Sequence, residues 1–238
     1  MRLPPWILSF LLLLPAAPGA GATEVLQIYM PDVPRPSTEI ARRILTQAYG
    51  RLGIPINFFA APAARGLSMW NNGEIDAVGA RLLDSGLPDA IKIPVPIVYE
   101  EGVVYTVKRR FKVAGYDSLK PYTVGYIANI AYLKDKLKVV PHQITAPNLE
   151  SLFRMLAAGR TEVAVDSRYA QCTAKKLGLN EIAILEPAVD AGLGYHYLHA
   201  RRQSLAAPLE RVLRAMEKDG TLKKIQDETM REFMAQCN

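Results

Sequence analysis

Beyond residue 23, short runs rich in β-branched and aromatic residues alternate with stretches whose apolar positions recur every three or four residues. The first pattern predicts strands and the second predicts amphipathic helices. The predicted strands are residues 25–29, 56–59, 75–80, 97–107, 122–127, 139–144, 163–165, 182–185 and 195–199. The predicted helices are residues 37–51, with Ser37 as N-cap, then 63–72, 130–137, 149–158, 169–177 and a stretch from 206 interrupted at 219–220. This alternation favours α/β units with mainly parallel sheets.

One helix–strand junction occurs twice along the chain. The residues Leu67, Met69, Gly73, Asp76 and Arg81 recur as Phe153, Met155, Gly159, Glu162 and Arg168. In both copies a helix ends at a glycine, an acidic residue follows three positions later, and an apolar strand ends near an arginine. The alternative is coincidence between two ordinary junctions. Because the element pattern also restarts after Lys120, we expect two similar α/β lobes.

Composition places the chain among ordinary globular proteins. It has 238 residues, of which 50% are hydrophobic and 22% charged, enough for one large domain or two small ones. The net charge of +6 is scattered in small groups along the chain, and no nucleic-acid-binding motif accompanies it. A mildly basic solvated surface is the preferred interpretation, and we expect no nucleic-acid partner.

The first 22 residues are typical of a secretory signal peptide. Arg2 precedes a largely apolar run from residue 6 to 14, and small residues ending at Ala22 form a cleavage site. We therefore expect a soluble protein exported to the periplasm. Cys172 and Cys237 would then lie in a compartment that permits disulfides, and they either pair or remain two free thiols.

Candidate binding residues follow the predicted strands, because ligands of open α/β sheets bind outside the carboxyl ends of the strands. The first lobe places Asp32, Arg65, Arg81, Tyr99 and Glu100 there, and the second places Tyr126, Asn129, Asp166 and Arg168. An arginine fork binds carboxylate or phosphate bidentately, which favours a small anionic or zwitterionic solute. The alternative for each arginine is a salt bridge, for instance between Arg168 and Asp166.

Several short motifs in this order resemble the family 3 extracellular solute-binding proteins, the type II periplasmic binding proteins of amino-acid ABC transporters. The matching residues are Pro62, Arg65, Gly73, Glu74, Ile75, Asp76 and Ala77, then Leu119, Thr123, Val124, Gly125 and Tyr126, then Leu156, Gly159, Arg160 and Val165, and finally Leu213, Met216, Asp219, Gly220, Thr221, Leu222 and Ile225. The resemblance covers nearly all of the chain after the signal peptide.

The resemblance implies two Rossmann-like lobes with mixed, mainly parallel sheets, joined by a two-segment hinge that we place near residues 105–108 and 195–199. Lobe 1 would comprise residues 23–106 and 198–238, and lobe 2 residues 107–197. It implies a monomer that captures a small solute, an amino acid or related organic acid, between the lobes and delivers it to the membrane permease of an ABC transporter.

Two other functions remain open on the same fold. One is an exported enzyme similar to cyclohexadienyl dehydratase, which needs a cleft carboxylate such as Glu100 or Asp166 as acid or base. The other is ligand-dependent docking to a membrane receptor. No cofactor or metal is predicted: His196 and His199 are the nearest metal-like pair, but a spacing of three on a strand points their rings to opposite faces.

Overall fold

The computed structural model describes residues 24–32, 35–82, 87–128 and 130–237. The predicted signal peptide and Asn129 lie outside these residues. The strands form one eight-stranded sheet in the order β2-β1-β3-β8-β4-β7-β5-β6, with helices packed on it. None of the helices in the described ranges combines the length and hydropathy needed to cross a membrane.

The amino-terminal half of the sheet is built from two parallel units. They comprise β1 (Leu26–Pro31), α1 (Pro36–Arg51), β2 (Ile56–Ala61), α2 (Ala63–Asn71) and β3 (Ala77–Arg81). Strand β1 lies between β2 and β3 and runs parallel to both. Helix α1 buries Ile40, Ile44 and Ala48, which recur every four residues along one face, against this part of the sheet.

The second half repeats the same arrangement. It comprises β5 (Val124–Ile127), α3 (Ala131–Lys136), β6 (Gln143–Ala146), α4 (Leu149–Ala157), β7 (Val163–Ser167) and α5 (Gln171–Lys176). Strand β5 lies between β6 and β7 and runs parallel to both. The two halves therefore have the same local topology, as the repeated junction predicts.

The repeated junction has the same contacts in both halves. Gly73 and Gly159 follow their helices with φ of +70° and +69°, a conformation that glycine adopts without steric cost. Asp76 accepts a hydrogen bond from the backbone N–H of Gln27, at 2.8 Å, and Glu162 accepts one from that of Thr123, at 2.9 Å. Each acidic side chain thus fixes the start of the central strand of its half.

Two long strands join the halves. β4 (Ala90–Thr106) and β8 (Ala183–His199) pair antiparallel along most of their length, and β3 and β7 pair antiparallel with this ribbon on either side. The sequence predicts only residues 97–107 for β4 and two separate strands for β8. Pro94 and Pro96 argue against a strand, but that part of β4 pairs with β8 alone and tolerates the missing donors.

The buried hydrophobic side chains of the described residues form four clusters, two in the amino-terminal half, which together we call the first core, and two in the other half, which we call the second core. Along β4, side chains up to Val98 belong to the first core and those from Val103 to the second. Along β8, Val189 belongs to the second core and Tyr195 to the first. These positions lie a few residues before the crossings placed near 105–108 and 195–199. The lobe boundaries given above stay predictions.

Two helices close the chain, α6 (Ala206–Lys218) and α7 (Thr221–Ala235), with the interruption where the sequence predicts it. Leu222 of α7 belongs to the first core. The far end of α7 meets the second half, where the Phe233 ring lies 6.4 Å from that of Tyr169. Just beyond it, Cys237 is bonded to Cys172 of α5, with Cα atoms 5.0 Å apart, so of the two alternatives the cysteines pair.

Candidate functional site

The parallel strands of the two halves run in opposite directions, so their carboxyl ends face each other across the β4–β8 ribbon. Strand β3 ends at Arg81, which pairs with Tyr195, and β7 ends at Ser167, which pairs with Gly102. Two buried carboxylates lie there. Glu100 of β4 is 5% exposed and Asp166 of β7 is 1% exposed. Among the residues that the structure describes, Glu100 Oε1 and Asp166 Oδ2 have no hydrogen-bond partner. Buried polar atoms are rarely left in this state, so both oxygens can take donors from a ligand.

The other oxygen of Asp166 is held from both halves of the molecule. Oδ1 accepts the Ser167 backbone N–H at 2.7 Å and the Ser167 hydroxyl at 3.2 Å. It also pairs at 3.3 Å with Nη1 of Arg35, the residue that precedes α1 in the first half. The Arg35 side chain is only 19% exposed. A guanidinium from one half thus reaches a carboxylate of the other.

Glu100, Asp166, Arg35 and Tyr132 form one electrostatic group, which we call the carboxylate cluster. Burial lowers the pKa of Arg35, but the charges of Asp166 and Glu100 more than offset this, so the pKa lies above its usual value. Burial raises the pKa of Tyr132, and the same two carboxylates raise it further. Both carboxylates therefore act electrostatically on Arg35 and on Tyr132, and Arg35 is also in direct contact with Asp166.

Arg81 provides positive charge at the end of β3. Its backbone pairs with Tyr195 of β8, and its side chain is partly buried. Burial lowers the pKa of Arg81, while the nearby Tyr197 and Tyr29 hydroxyls act in the opposite direction. A partly buried guanidinium beside tyrosines is a suitable partner for a carboxylate or phosphate.

The ribbon links Arg81 to the carboxylate cluster. Gly192 of β8 lies directly opposite Glu100, and a Cβ at this glycine would come 3.2 Å from Leu82 Cδ2. Leu82, the residue after Arg81, therefore packs against the β8 backbone at Gly192, directly opposite Glu100. The predicted residues Arg81, Glu100 and Asp166 are therefore all placed at the ribbon crossing between the two halves.

Other predicted residues lie apart from these three. Tyr99 precedes Glu100 on β4 and points to the opposite face, where it is 47% exposed and donates to Glu101 Oε1 at 3.3 Å. Arg168 does not pair with Asp166; it forks onto Glu186 at 2.7 and 3.1 Å and also binds Glu101. A solute anion at Arg168 would have to compete with two protein carboxylates.

The remaining candidates lie on other elements of the two halves. Asp32 is exposed after β1, and Arg65 is exposed in the first turn of α2. Tyr126 of β5 is 5% exposed and packs in the second core. The roles of these residues stay predictions, and Asn129 lies outside the described residues.

Sequence reasoning missed Arg35 and Tyr132. The signal for Arg35 is the following proline: Pro36 occupies the first position of α1, so Arg35 and not Ser37 is the N-cap residue. An N-cap residue after β1 stands at the ligand-binding edge of the sheet. Tyr132 has no comparable signal, because α3 is short and its rotation relative to the sheet is set by tertiary packing.

The two histidines considered for a metal point to opposite faces of β8, as predicted. The His196 ring packs against Tyr49, at 5.8 Å, and the His199 ring against Trp70, at 4.9 Å.

No family model matches the chain. It is 26% identical over 206 residues to an uncharacterized protein of Shewanella oneidensis, an alignment that covers 81% of this chain and 76% of that protein.

Solved structures share its fold. A histidine kinase sensor domain with similarity to periplasmic binding proteins has a TM-score of 0.69 at 14% identity, covering 86% of this chain and 95% of that one. The GluR0 ligand-binding core in complex with L-glutamate has a TM-score of 0.69 at 10% identity, covering 87% and 99%. An ancestral arginine-binding protein bound to glutamine has a TM-score of 0.66 at 16% identity, covering 86% and 96%. The chain therefore has the fold of the type II periplasmic binding proteins, as the sequence predicts.

Proposed function

We propose that this chain, on the fold of the type II periplasmic binding proteins, captures a small zwitterionic solute between its two halves. The observation that carries the proposal is the pair of buried oxygens Glu100 Oε1 and Asp166 Oδ2, which have no hydrogen-bond partner within the described part of the chain. A buried acceptor without a donor costs roughly 1–3 kcal/mol, and more when it is charged. An ammonium group has three N–H donors and can serve both oxygens while compensating their charge.

The opposite end of the solute is assigned to Arg81. Its partly buried guanidinium can bind a carboxylate with two parallel hydrogen bonds. Negative charge at one end of the site and positive charge at the other match the two ends of an amino acid. The bound ligands in two of the similar structures, L-glutamate and glutamine, support this class.

Closure of the halves around the solute follows from the placement of the groups. Arg81 belongs to the first half and Asp166 to the second, while Glu100 stands on the ribbon between them. A solute that contacts all three gains most of its binding energy only when the halves are together. It therefore stabilises the closed state by its differential affinity.

Delivery to a membrane partner is the second part of the proposal. The predicted signal peptide supports export to the periplasm, where the closed, loaded form would be recognised by an ABC transporter permease. The likeness to a histidine kinase sensor domain supports a second candidate, in which the closed form instead docks on a membrane receptor. Crosslinking in membranes of the source organism, with and without solute, separates the two by the identity of the partner.

Thermal unfolding with added solutes tests the binding proposal. L-glutamine should raise the melting temperature of the wild type, with a stabilisation that grows as RT ln(1 + [L]/Kd). The analogue that lacks the amino group should do so far less, because it leaves the two carboxylate oxygens without donors. If no amino acid in a complete panel shifts the melting temperature, the proposal is wrong.

Three substitutions locate the site. Glu100→Gln and Asp166→Asn should weaken binding of L-glutamine, and Arg81→Gln should do the same through the carboxylate end. Glu150→Gln is the matched control, because Glu150 is an exposed helix residue paired with Arg154. If L-glutamine raises the melting temperature of all four variants equally, the solute does not bind at these residues. A time course of solute concentration in the same samples tests the enzyme alternative, since an enzyme consumes its ligand.

A further inference from the structure

We propose that Arg35 determines how many positive charges the solute must bring, so that its presence selects solutes with a single cationic group. The inference rests on the proposed function and identifies a specificity-determining residue of the same site. Arg35 itself lies on the first half of the molecule, just before α1, and its contact is with the second half.

Arg35 occupies one defined place in the carboxylate cluster. Its Nη1 lies 3.3 Å from Asp166 Oδ1 and 3.5 Å from the Ser167 hydroxyl. The backbone on the acceptor side is held by the Tyr105 hydroxyl, whose single hydrogen is shared between the carbonyl oxygens of Ser167, at 2.8 Å, and Arg168, at 3.0 Å. The guanidinium therefore meets a fixed carboxylate, and it leaves Asp166 Oδ2 open.

Charge balance gives the selectivity. Glu100 and Asp166 together bring two negative charges into a largely buried site, and Arg35 compensates one of them. One ammonium group from the solute then completes the balance. A solute with two cationic groups would leave an excess positive charge next to Arg35, and like charges at close range in a buried site are unfavourable.

Removing the arginine reverses this preference. In Arg35→Gln, the two carboxylates face the solute without a protein counter-charge, and a solute with two cationic groups restores neutrality. Selectivity is a difference between two affinities, so it is measured as the ratio of dissociation constants for two solutes of similar length. L-glutamine and L-lysine form such a pair, since L-lysine has an additional ammonium group at the end of its side chain.

Calorimetric titration with L-glutamine and L-lysine tests the inference. The wild type should prefer L-glutamine, and Arg35→Gln should shift the ratio of dissociation constants towards L-lysine by at least about tenfold. Arg35→Lys keeps the charge and should retain most of the wild-type preference, which a purely structural role of Arg35 would not predict. Arg42→Gln is the control, because Arg42 is a partly exposed arginine on α1 that pairs with Glu39 of the same helix.

The outcomes separate this inference from the proposed function. If the wild type binds an amino acid and the ratio is the same in Arg35→Gln, the inference is wrong and the proposed function stands. If the wild type binds no amino acid, the proposed function fails and the inference fails with it.

A second measurement tests the ion pair without any solute. Urea unfolding of Arg35→Gln, Asp166→Asn and the double variant gives a double-mutant cycle. Coupling of at least about fivefold in the unfolding equilibrium constant is expected, because each single variant leaves a buried charge without its partner. Additive effects would show that the pair does not form in solution and would overturn the inference.

Discussion

Acidification below pH 6.5 should destabilise this protein partly through one side chain, the fully buried imidazole of His196. Its Nδ1 lies 3.1 Å from the carbonyl oxygen of Gly79, and its Nε2 lies 2.9 Å from the Tyr49 hydroxyl. Because a carbonyl only accepts, we infer that Nδ1 carries the hydrogen and that Nε2 accepts from the hydroxyl. The neutral ring satisfies both contacts, whereas a second proton on Nε2 would make the Tyr49 hydroxyl the acceptor and leave its own hydrogen without the imidazole as partner.

The size of the effect follows from the shift in pKa. Burial lowers the pKa of His196 from the ordinary 6.5 to about 4. As the pH falls through this window, the unfolded chain takes up a proton that the folded protein does not, so stability decreases. At 1.36 kcal/mol for each pH unit, the loss amounts to about 3 kcal/mol at the lower end of the window.

Urea unfolding over this pH range measures the loss, with fluorescence of the buried Trp70 as the signal. His196→Gln has no titrating ring, so its stability should fall with pH by about 3 kcal/mol less than that of the wild type. His142→Gln is the control and should follow the wild type, because His142 is exposed in the folded protein as in the unfolded chain. Parallel curves for the wild type and His196→Gln would refute the reasoning.

Three further predictions concern stability, each measured by urea unfolding. Replacing Cys172 and Cys237 by serine opens a loop with a sequence separation of 65 and should cost about 4 kcal/mol under oxidising conditions; no difference from the wild type would mean that the bond does not form. Gly66→Ala should destabilise by about 2 kcal/mol, because its Cβ would lie 2.4 Å from a tyrosine ring, whereas Gly50→Ala meets nothing within 4 Å and should stabilise by roughly 0.5–1 kcal/mol; the opposite order would contradict the packing. Burial raises the pKa of Asp76, but hydrogen bonds from a backbone amide and two arginines lower it below its usual value. Asp76→Asn should therefore cost about 2 kcal/mol at neutral pH, and the difference should close below pH 3.8, so a difference that persists there would refute the assignment.

The local pattern predicts most of the fold because most elements bury one periodic face. The face of α1 that carries Ile40 and Ile44, and the helix ends at Gly73 and Gly159, lie where the sequence places them. The repeated junction was the best guide to the topology, since both copies use an acidic side chain to hold the start of a central strand. What local signals could not predict is the length of β4 and β8.

The sequence predicts only parts of β4 and β8, because some residues in these strands have low strand propensity. Pro94 and Pro96 remove donors on β4, and Gly192 and Gly194 weaken the β-pattern on β8. These strands form because each is the main partner of the other over a long antiparallel pairing, which is a tertiary effect. The site shows the same division: the sequence identifies Arg81, Glu100 and Asp166, but it does not predict that Arg35 contacts Asp166 and the adjacent Ser167, which is 132 positions away in the chain.

The Cys172–Cys237 bond gives the two cores a connection that the order of the elements does not provide. The chain itself passes between them through the paired strands β4 and β8, which lie side by side and would be the joint of the proposed closure. The disulfide fixes a second point away from that joint, where the end of α7 is attached to α5. Two bodies joined at two separate points retain one easy rotation, about the line through both. In the proposed closure, covalent geometry would therefore set the path of the motion, and the proposed solute would determine only how far along that path the molecule rests.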